Sequence, residues 1–190
     1  GAMQQLLTGK KRLAGFSGEW AVKKLGDESI LVTKGTTPTS LGRNFTESGI
    51  TFVKVESLLK NGNIDPSMLA YIDVETHTLL KRSQINKDDL LISIAGALGR
   101  VVIVKENILP ANTNQALAIV RLKEGSKLNL QYIFYYLHSS QITKHIEAIS
   151  VQGAQPNLSL QNIYDLPIYC PQILGEQLAI ATILSDMDAE

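Results

Sequence analysis

The sequence predicts an α+β domain whose middle consists of β-strands and whose two ends are helical. Short runs of β-branched and aliphatic residues between positions 50 and 122 are typical of strands. From residue 129 onward, the apolar positions follow a helical period instead. The chain has 190 residues, of which 44% are hydrophobic and 19% are charged. This composition is typical of a globular protein with a buried core and excludes a disordered chain.

Four segments in the middle of the chain predict strands. Residues 50–55 (ITFVKV) and 89–95 (DLLISIA) alternate in part between apolar and polar positions, as half-buried strands do. Residues 100–105 (RVVIVK) and 116–122 (ALAIVRL) are short apolar runs, which indicates strands that are buried on both faces. The tetrapeptide GALG at 96–99 predicts a hairpin turn between two of them.

Three polar segments separate the predicted strands. They are rich in Gly, Asn, Thr and Pro, and they cover residues 35–48, 61–67 and 107–115. Long loops on a rigid scaffold often carry function, so we expect binding residues in these segments.

The remaining elements lie toward the two ends of the chain. An amphipathic helix is predicted after Asn129, and a second helix over 141–149. Residues 166–171 (LPIYCP) predict an edge strand, where prolines are tolerated. Residues 4–13 resemble the end of a helix, and a further helix starts at Glu176 and stops in mid-pattern, so we expect two cut helices.

The charges balance overall but are unevenly placed. Eighteen basic and eighteen acidic side chains give a net charge of zero, which argues against a nucleic-acid partner because DNA-binding proteins are usually basic. Residues 1–60 are net positive, 61–150 are nearly balanced, and 151–190 carry only acidic charges. Chance scatter and a local basic surface both explain this layout, because the local field depends on where the charges lie.

The sequence lacks the usual signatures of catalysis. There is no dinucleotide-binding or phosphate-binding glycine motif and no Gly-x-Ser-x-Gly turn around a nucleophilic serine. Cys170 is the single cysteine, which excludes a disulfide framework and a cysteine-rich zinc site. The pair Asp88-Asp89 is expected to form a solvated turn and not a catalytic site. We therefore expect no catalytic residue, no metal ligand and no cofactor. No apolar run approaches the roughly 20 residues that span a bilayer, so we expect no membrane association and a cytoplasmic location.

Six segments of the chain, in order and at fitting intervals, carry a resemblance to a known family. They are residues 4–20, Lys34-Gly35-Thr36-Thr37-Pro38, residues 50–55, residues 90–100 (LLISIAGALGR), Asn114-Gln115-Ala116, and residues 166–181 with their LPIYCP, EQ and IA elements. On these segments the chain resembles a target recognition domain from the specificity (S) subunit of a bacterial type I restriction–modification system.

The resemblance implies a fold and a domain organisation. The implied fold is a curved and twisted β-sheet domain with small helices, flanked by the truncated ends of long linking helices. Residues 1–13 would combine a tag-cleavage scar with the end of the central linking helix, 14–171 would form the recognition domain, and 172–190 would start the C-terminal linking helix. The position of the first helix implies the second, C-terminal recognition domain.

The resemblance also implies a function. S subunits of this family are non-catalytic and read a split sequence in double-stranded DNA, with one recognition domain for each half. Methylation and cleavage then belong to the partner methyltransferase (modification) and restriction subunits. The alternative is a protein-interaction or assembly module of the same fold that has lost its contact with DNA.

Contacts to DNA are expected from the polar loops and their neighbours. Arg, Lys, Asn, Gln and Thr match base edges in the major groove, and Lys, Arg and hydroxyl groups also bind phosphates. The predicted DNA-binding residues are Lys34, Thr36, Thr37, Arg43, Lys54, Asn61, Lys81, Arg82, Arg100, Asn112, Asn114, Gln152, Gln155 and Asn157. A solvated loop is the alternative for each cluster, and Asn112 and Asn114 fit equally well as groups that satisfy buried backbone at a strand entry.

Overall fold

The strands form two four-stranded sheets and one two-stranded ribbon. The computed structural model describes residues 2–150 and 156–189. The strands in these ranges are β1 (Trp20–Lys24), β2 (Ser29–Lys34), β3 (Ile50–Val53), β4 (Ala70–Ile72), β5 (Gln84–Ile85), β6 (Leu90–Ser93), β7 (Val101–Ile103), β8 (Ala111–Thr113), β9 (Leu117–Leu122) and β10 (Pro167–Pro171). The α-helices there are α1 (Ala2–Leu7), α2 (Val74–Leu79), α3 (Leu130–Leu137), α4 (Ser140–Ser150), α5 (Leu160–Tyr164) and α6 (Leu174–Ala189). The predicted α+β class, with open curved sheets and small helices, is confirmed.

The central sheet has the strand order β2-β9-β6-β7 and is antiparallel throughout. Its register pairs Lys34 with Ala118, Ser93 with Leu117, and Ile92 with Val101. One end of the central sheet therefore contains the last residues of β2 and β6 and the first residues of β7 and β9. We call it the Lys34 end. The opposite end of the strands contains the pairs Ser29–Leu122 and Leu90–Ile103, and we call it the Ser29 end.

The second sheet has the order β4-β3-β8-β5, and its β3–β8 pair is parallel. The register pairs Val53 with Thr113, so β3 and β8 end side by side and the segments that follow them start together. A ribbon of β1 and β10 pairs Trp20 with Pro171. This ribbon joins the two terminal parts of the domain.

The strands β6 and β9 are buried on both faces, as the apolar run predicts for β9, whereas the partial alternation of residues 89–95 predicts a half-buried β6. Leu90 and Ile92 contribute to a core shared with the helices, in which Tyr132 is fully buried. Leu91 and Ile119, which point the other way, belong to a core shared with the second sheet. Fully burying side chains of this size stabilises a fold by about 2 kcal/mol each, so the central sheet is the rigid scaffold of the domain.

The helices begin where capping residues occur in the sequence. Asn129 Oδ1 accepts a hydrogen bond from Tyr132 N at 3.0 Å and starts α3, as the sequence predicts. Tyr132, Tyr135 and Tyr136 are buried and belong to the core that this helix shares with the sheet. At the start of α6, the fully buried Glu176 accepts two hydrogen bonds from the Arg12 guanidinium, each at 2.8 Å.

Several short strands depart from the sequence-based prediction. β1, β2, β4, β5 and β8 lie in segments where no strand is predicted, and β8 falls inside the predicted loop 107–115. Asn112 and Thr113 of this strand are polar, yet Thr113 Oγ1 donates to Val53 O at 2.9 Å inside the sheet. Tertiary contacts therefore decide the conformation of these segments, against their local polarity. Within residues 2–150 and 156–189, no helix is both long enough and apolar enough to cross a membrane.

Candidate nucleic-acid interface

The loops that follow β2 and β8 pack against each other at the Lys34 end. Gly35 N donates to Leu117 O at 3.4 Å, and Thr36 N donates to Thr113 O at 3.2 Å. A Cβ atom on residue 35 would lie 2.0 Å from Thr113 O, so only glycine permits this approach. The loop that carries Thr36 and Thr37 is thereby fixed beside the segment that carries Asn114.

The loops that follow β3 and β6 meet at the same end. Arg100 Nη1 donates to Leu58 O at 2.6 Å, which ties the hairpin turn to the segment after β3. Ile94 N donates to Ala116 O at 2.8 Å, and Leu158 N donates to Ile94 O at 2.9 Å. Segments that are far apart in the sequence, at 54–58, 94–100, 114–116 and 156–158, therefore share this end.

The turn between β6 and β7 forms as the GALG sequence predicts. Gly96 and Gly99 both have a φ of 74°, a left-handed conformation that favours glycine. Ser93 Oγ accepts from Arg100 N at 2.8 Å and donates to Ala97 O inside the turn. These bonds hold Arg100 at the mouth of the hairpin.

Side-chain hydrogen bonds connect the loops further. Arg82 Nη2 donates to Thr36 Oγ1 at 2.9 Å, so the turn Lys81–Ser83 lies beside the loop after β2. The Thr37 hydroxyl donates to Gln115 Oε1. Gln115 is exposed and ends the polar run 112–115, in which the sequence predicts DNA contacts, so it joins the candidate residues.

The Lys34 end is rich in positive charge. It carries five of the predicted cationic residues, which are Lys34, Lys54, Lys81, Arg82 and Arg100. Among residues 34–37, 54–58, 81–82, 94–100, 113–117 and 156–158, the sequence has one acidic residue, the exposed Glu56. Like charges concentrated on one surface create a positive potential even when the whole chain is neutral.

Asn112 does not belong to this surface. It is fully buried in β8, where its Nδ2 donates to Leu80 O at 3.1 Å and its Oδ1 lies 2.5 Å from His77 Nδ1. Because no part of the side chain is exposed, the predicted DNA contact at Asn112 is replaced by a structural role. Asn114 is partly exposed, and its Oδ1 accepts from Ala116 N at 3.1 Å within the turn.

Four other predicted residues lie in different settings. Arg43 Nη2 binds Glu75 Oε1 at 2.6 Å, and this exposed ion pair raises the pKa of Arg43. Lys54 Nζ lies 5.7 Å from the centre of the Phe45 ring. Asn157 is exposed next to Leu158, at the Lys34 end. Asn61 Oδ1 accepts from Asn63 N at 3.2 Å in a loop that packs on α3, away from the converging loops.

The predicted contacts Gln152 and Gln155 lie outside the described residues. They remain predictions.

At the Ser29 end, the buried acids have partners, while Lys87, Lys105 and Lys127 are exposed. Asp89 is fully buried and accepts from Arg121 Nε at 2.7 Å and from Nη2 at 2.8 Å, so the expectation that it forms a solvated turn is wrong. Burial raises the pKa of Glu28, but hydrogen bonds from Lys127 N and Ser126 Oγ outweigh it and hold the pKa below its usual value. These partners neutralise the acids where the sheet meets the rest of the core.

A groove of about 860 Å³ opens beside the Ser29 end. Its lining includes Lys60, Asn61, Lys87 and His138. His138 Nδ1 donates to Phe134 O at 2.8 Å, and its Nε2 has no partner among the described residues. Burial lowers the pKa of His138, so the imidazole is neutral at pH 7.

The cysteine and the metal-ligating side chain types form no reactive site among the described residues. Cys170 is fully buried, and burial raises the pKa of its thiol to about 11, so it carries no thiolate at neutral pH. Over residues 2–150 and 156–189, no three His, Cys, Asp or Glu side chains come together as a metal site would require.

Comparisons with known proteins agree on one family. A family model described as the type I restriction modification DNA specificity domain matches residues 17–190. The specificity subunit of the type I restriction enzyme EcoBI from Escherichia coli is 29% identical over 128 residues, which cover 67% of this chain and 26% of that protein. The chain thus spans about a quarter of the curated relative.

Solved structures with low sequence identity share the fold. An HsdS subunit from Thermoanaerobacter tengcongensis matches with a TM-score of 0.67 and 20% identity, over 99% of this chain and 42% of that one. A type I restriction-modification S subunit from M. genitalium matches with a TM-score of 0.61 and 18% identity, over 94% and 41%. A chain from a study of the assembly and conformational transition of a type I R-M system matches with a TM-score of 0.70 and 19% identity, over 99% and 43%.

Proposed function

Because the chain belongs to the family of type I restriction modification DNA specificity domains, we propose that it binds double-stranded DNA through the loops of the Lys34 end. The observation that carries this proposal is the convergence of several sequence-distant loops at one end of the central sheet, with Lys34, Lys81, Arg82 and Arg100 among them. Cations attract the phosphate backbone at any sequence, and this attraction supplies much of the affinity.

Sequence reading would depend on the uncharged groups between the cations. Thr37, Asn114, Gln115 and Asn157 carry hydroxyl and amide groups on exposed or partly exposed loops of this end. Amides match adenine in the major groove, and threonine methyl groups contact thymine. A rigid sheet that carries several short loops suits this task because it fixes donors and acceptors relative to one another.

The domain would act as one part of a larger assembly. We propose that residues 14–171 read one half of a bipartite target, that the chain is the second recognition domain of its S subunit, and that this subunit works in the cytoplasm. Partner methyltransferase subunits would flip and methylate the adenine, and a restriction subunit would cleave, so this chain contributes no catalytic group.

Salt dependence tests DNA binding directly. The chain should bind mixed-sequence duplex DNA more weakly as NaCl rises, with a log–log slope that reports the phosphates contacted. Lys81→Gln should weaken binding, whereas Lys105→Gln, an exposed lysine at the Ser29 end, should not. Equal binding at low and high salt, or equal effects of the two variants, would contradict the proposed surface.

Exchange of the domain tests half-site reading. Residues 14–171 should replace the corresponding domain of a related S subunit, and methylated adenines should then be mapped across the host genome. One half of the recognition sequence should change while the other half stays. An unchanged sequence would refute the half-site proposal.

A second candidate function is a protein-interaction module, which exposed apolar side chains on α6 favour. Leu174 is 45% exposed, Leu178 53% and Met187 46%. Such residues commonly mark protein contacts. Under this alternative, the domain would keep its assembly partners and show no salt-dependent binding to DNA.

A further inference from the structure

Arg82 and Thr36 form a donor-rich pair within the proposed DNA surface. Thr36 Oγ1 already accepts from Arg82 Nη2 at 2.9 Å, so its hydroxyl hydrogen is free to donate to another acceptor. Arg82 is exposed and keeps further N–H donors, because a guanidinium has five. Among the described residues, Arg82 forms no ion pair with a carboxylate.

The charges around this pair favour an anion. Lys34 directly precedes the loop of Thr36, Lys81 directly precedes Arg82, and both lysines are exposed. Asp73 Oδ1 accepts from Thr76 N at 2.6 Å, Glu75 binds Arg43, and the exposed Glu56 is the one acid among the loops of the Lys34 end. A phosphate group, whose oxygens only accept, matches converging donors beside two cations.

Both members of the pair are held from the protein interior. Thr36 N donates to Thr113 O at 3.2 Å. On the other side, the fully buried Asn112 donates to Leu80 O, at the entry to the turn that carries Arg82. After that turn, Gln84 Nε2 donates to His77 O at 2.8 Å. Donors that are fixed before binding lose little freedom on contact with DNA.

We propose that Arg82 and Thr36 form a phosphate-binding subsite that holds the DNA backbone without reading its sequence, and that Asn112 positions this subsite from inside the fold. The subsite rests on the proposed DNA-binding function and refines it. It separates a fixed backbone contact from the side chains that select bases.

The test combines affinity with sequence selection. Arg82→Gln and Thr36→Val are compared with the unaltered chain and with Lys105→Gln, in salt titrations on a mixed-sequence duplex. Each protein is also used to select binding sequences from a random duplex pool. Thermal unfolding of every variant shows that it is folded.

A phosphate subsite predicts a uniform loss. Arg82→Gln should weaken binding by about tenfold to every duplex, and the salt slope should fall by about 0.9 for the one phosphate lost. Arg82→Lys should keep most of the salt slope. Thr36→Val should weaken binding and leave the salt slope unchanged, because no charge is lost. The selected sequence should stay the same for all variants.

Two results would overturn the subsite while leaving DNA binding intact. The first is a selected sequence that changes at one position in Arg82→Gln, which would make Arg82 a base reader, for instance of guanine. The second is unchanged affinity and slope in Arg82→Gln. Absence of salt-dependent binding by the unaltered chain would instead refute the proposed function, and the subsite with it.

Discussion

The two ends of the central sheet share the same four strands but carry charge in different ways. At the Ser29 end, Asp89 and Arg121 form a two-bond ion pair, and Glu28 accepts hydrogen bonds from the 126–127 backbone and side chain. At the Lys34 end, Lys34 and Lys81 are exposed. Buried ion pairs serve the fold. The exposed lysines of the Ser29 end have the exposed acids Asp88, Glu106 and Glu124 close by in the sequence, whereas Glu56 is the one acid among the loops of the Lys34 end, so the cations there raise the local potential and attract an external partner.

The comparison explains how a neutral chain can present a DNA-binding surface. The formal net charge is zero, yet the potential near a surface depends on the charges within about one Debye length, which is ~8 Å at physiological salt. Acids at the Ser29 end lie at the opposite end of the strands. Overall neutrality therefore does not oppose the proposed function.

The largest expected effect, on stability, comes from removing the Asp89–Arg121 ion pair at the Ser29 end. Asp89→Ala leaves Arg121 without its carboxylate and removes the acceptor for Asn86 N, so the free energy of unfolding should fall by about 3 kcal/mol in urea denaturation. Glu124→Ala, an exposed acid at the same end, should change it little. If Asp89→Ala reduced the free energy of DNA binding by more than the free energy of unfolding, the assignment of stability to the Ser29 end and DNA binding to the Lys34 end would be wrong.

Neutralising lysines at the Lys34 end should give the next largest effect. It should lower DNA affinity and leave stability unchanged. The replaced lysines are Lys34, Lys54 and Lys81, and the control lysines are Lys87, Lys105 and Lys127. Triple Lys→Gln replacement at the Lys34 end should weaken binding about thirtyfold, which is ~2 kcal/mol. The salt slope should fall by about 2.7, because each lost phosphate contact contributes about 0.9.

Binding titrations of both triple variants check this prediction. The control variant removes the same charge from the Ser29 end and should bind nearly as well as the unaltered chain. Equal losses in the two variants would mean that total charge, and not its location, governs binding.

A smaller effect is expected where the fold supports the Lys34 end. Asn112→Ala leaves Leu80 O without its buried donor, so the free energy of unfolding should fall by about 1.5 kcal/mol. The same change should weaken DNA binding, because Arg82 loses its fixed position. In an Arg82→Gln background, Asn112→Ala should weaken binding no further, a result that a purely structural role would not give.

The control for this prediction is Asn107→Ala, an exposed asparagine at the Ser29 end. It should alter neither stability nor affinity. Additive losses from Asn112→Ala and Arg82→Gln would contradict the link between the two residues.

The smallest expected effect is a pH dependence at the groove beside the Ser29 end. Burial lowers the pKa of His138, so the unfolded chain takes up a proton near the ordinary histidine pKa that the folded chain does not. Stability should therefore fall as the pH decreases through about 6.5. His138→Gln should remove this part of the pH dependence in urea denaturation, whereas the exposed His145→Gln should keep it. An unchanged profile in His138→Gln would contradict this origin.

The strands with strong apolar runs could be predicted from the sequence, and the short polar ones could not. The apolar run in residues 116–122 corresponds to β9, because burial on two faces selects continuous apolar residues, and the partial alternation in residues 89–95 corresponds to β6. β8 has the sequence Ala-Asn-Thr, and local pattern alone assigns it to a loop. Its strand conformation comes from pairing with β3 and β5, which no local signal encodes.

The candidate site was predictable in composition but not in detail. The resemblance-bearing residues turn out to have physical roles that explain their type: Gly35 permits close backbone contact, and Gln177 donates to Pro171 O at 2.8 Å inside the fold. By contrast, Asp89 lies in polar surroundings of the sequence, which predicts exposure, and for Asn112 the sequence leaves a DNA contact and a bond to buried backbone equally open. Only the three-dimensional partners, Leu80 O and Arg121, make their burial favourable.

The ion pair between Arg12 and Glu176 joins residues that are 164 positions apart. It closes the domain into a loop whose entry and exit lie side by side, next to the β1–β10 ribbon. Because the two ends of the domain are close together, segments on either side of it can lie next to each other. Holding them there costs little chain entropy. The Arg12–Glu176 ion pair and the β1–β10 pairing thus hold the two ends of the domain together, whatever the length or sequence of the loops in between.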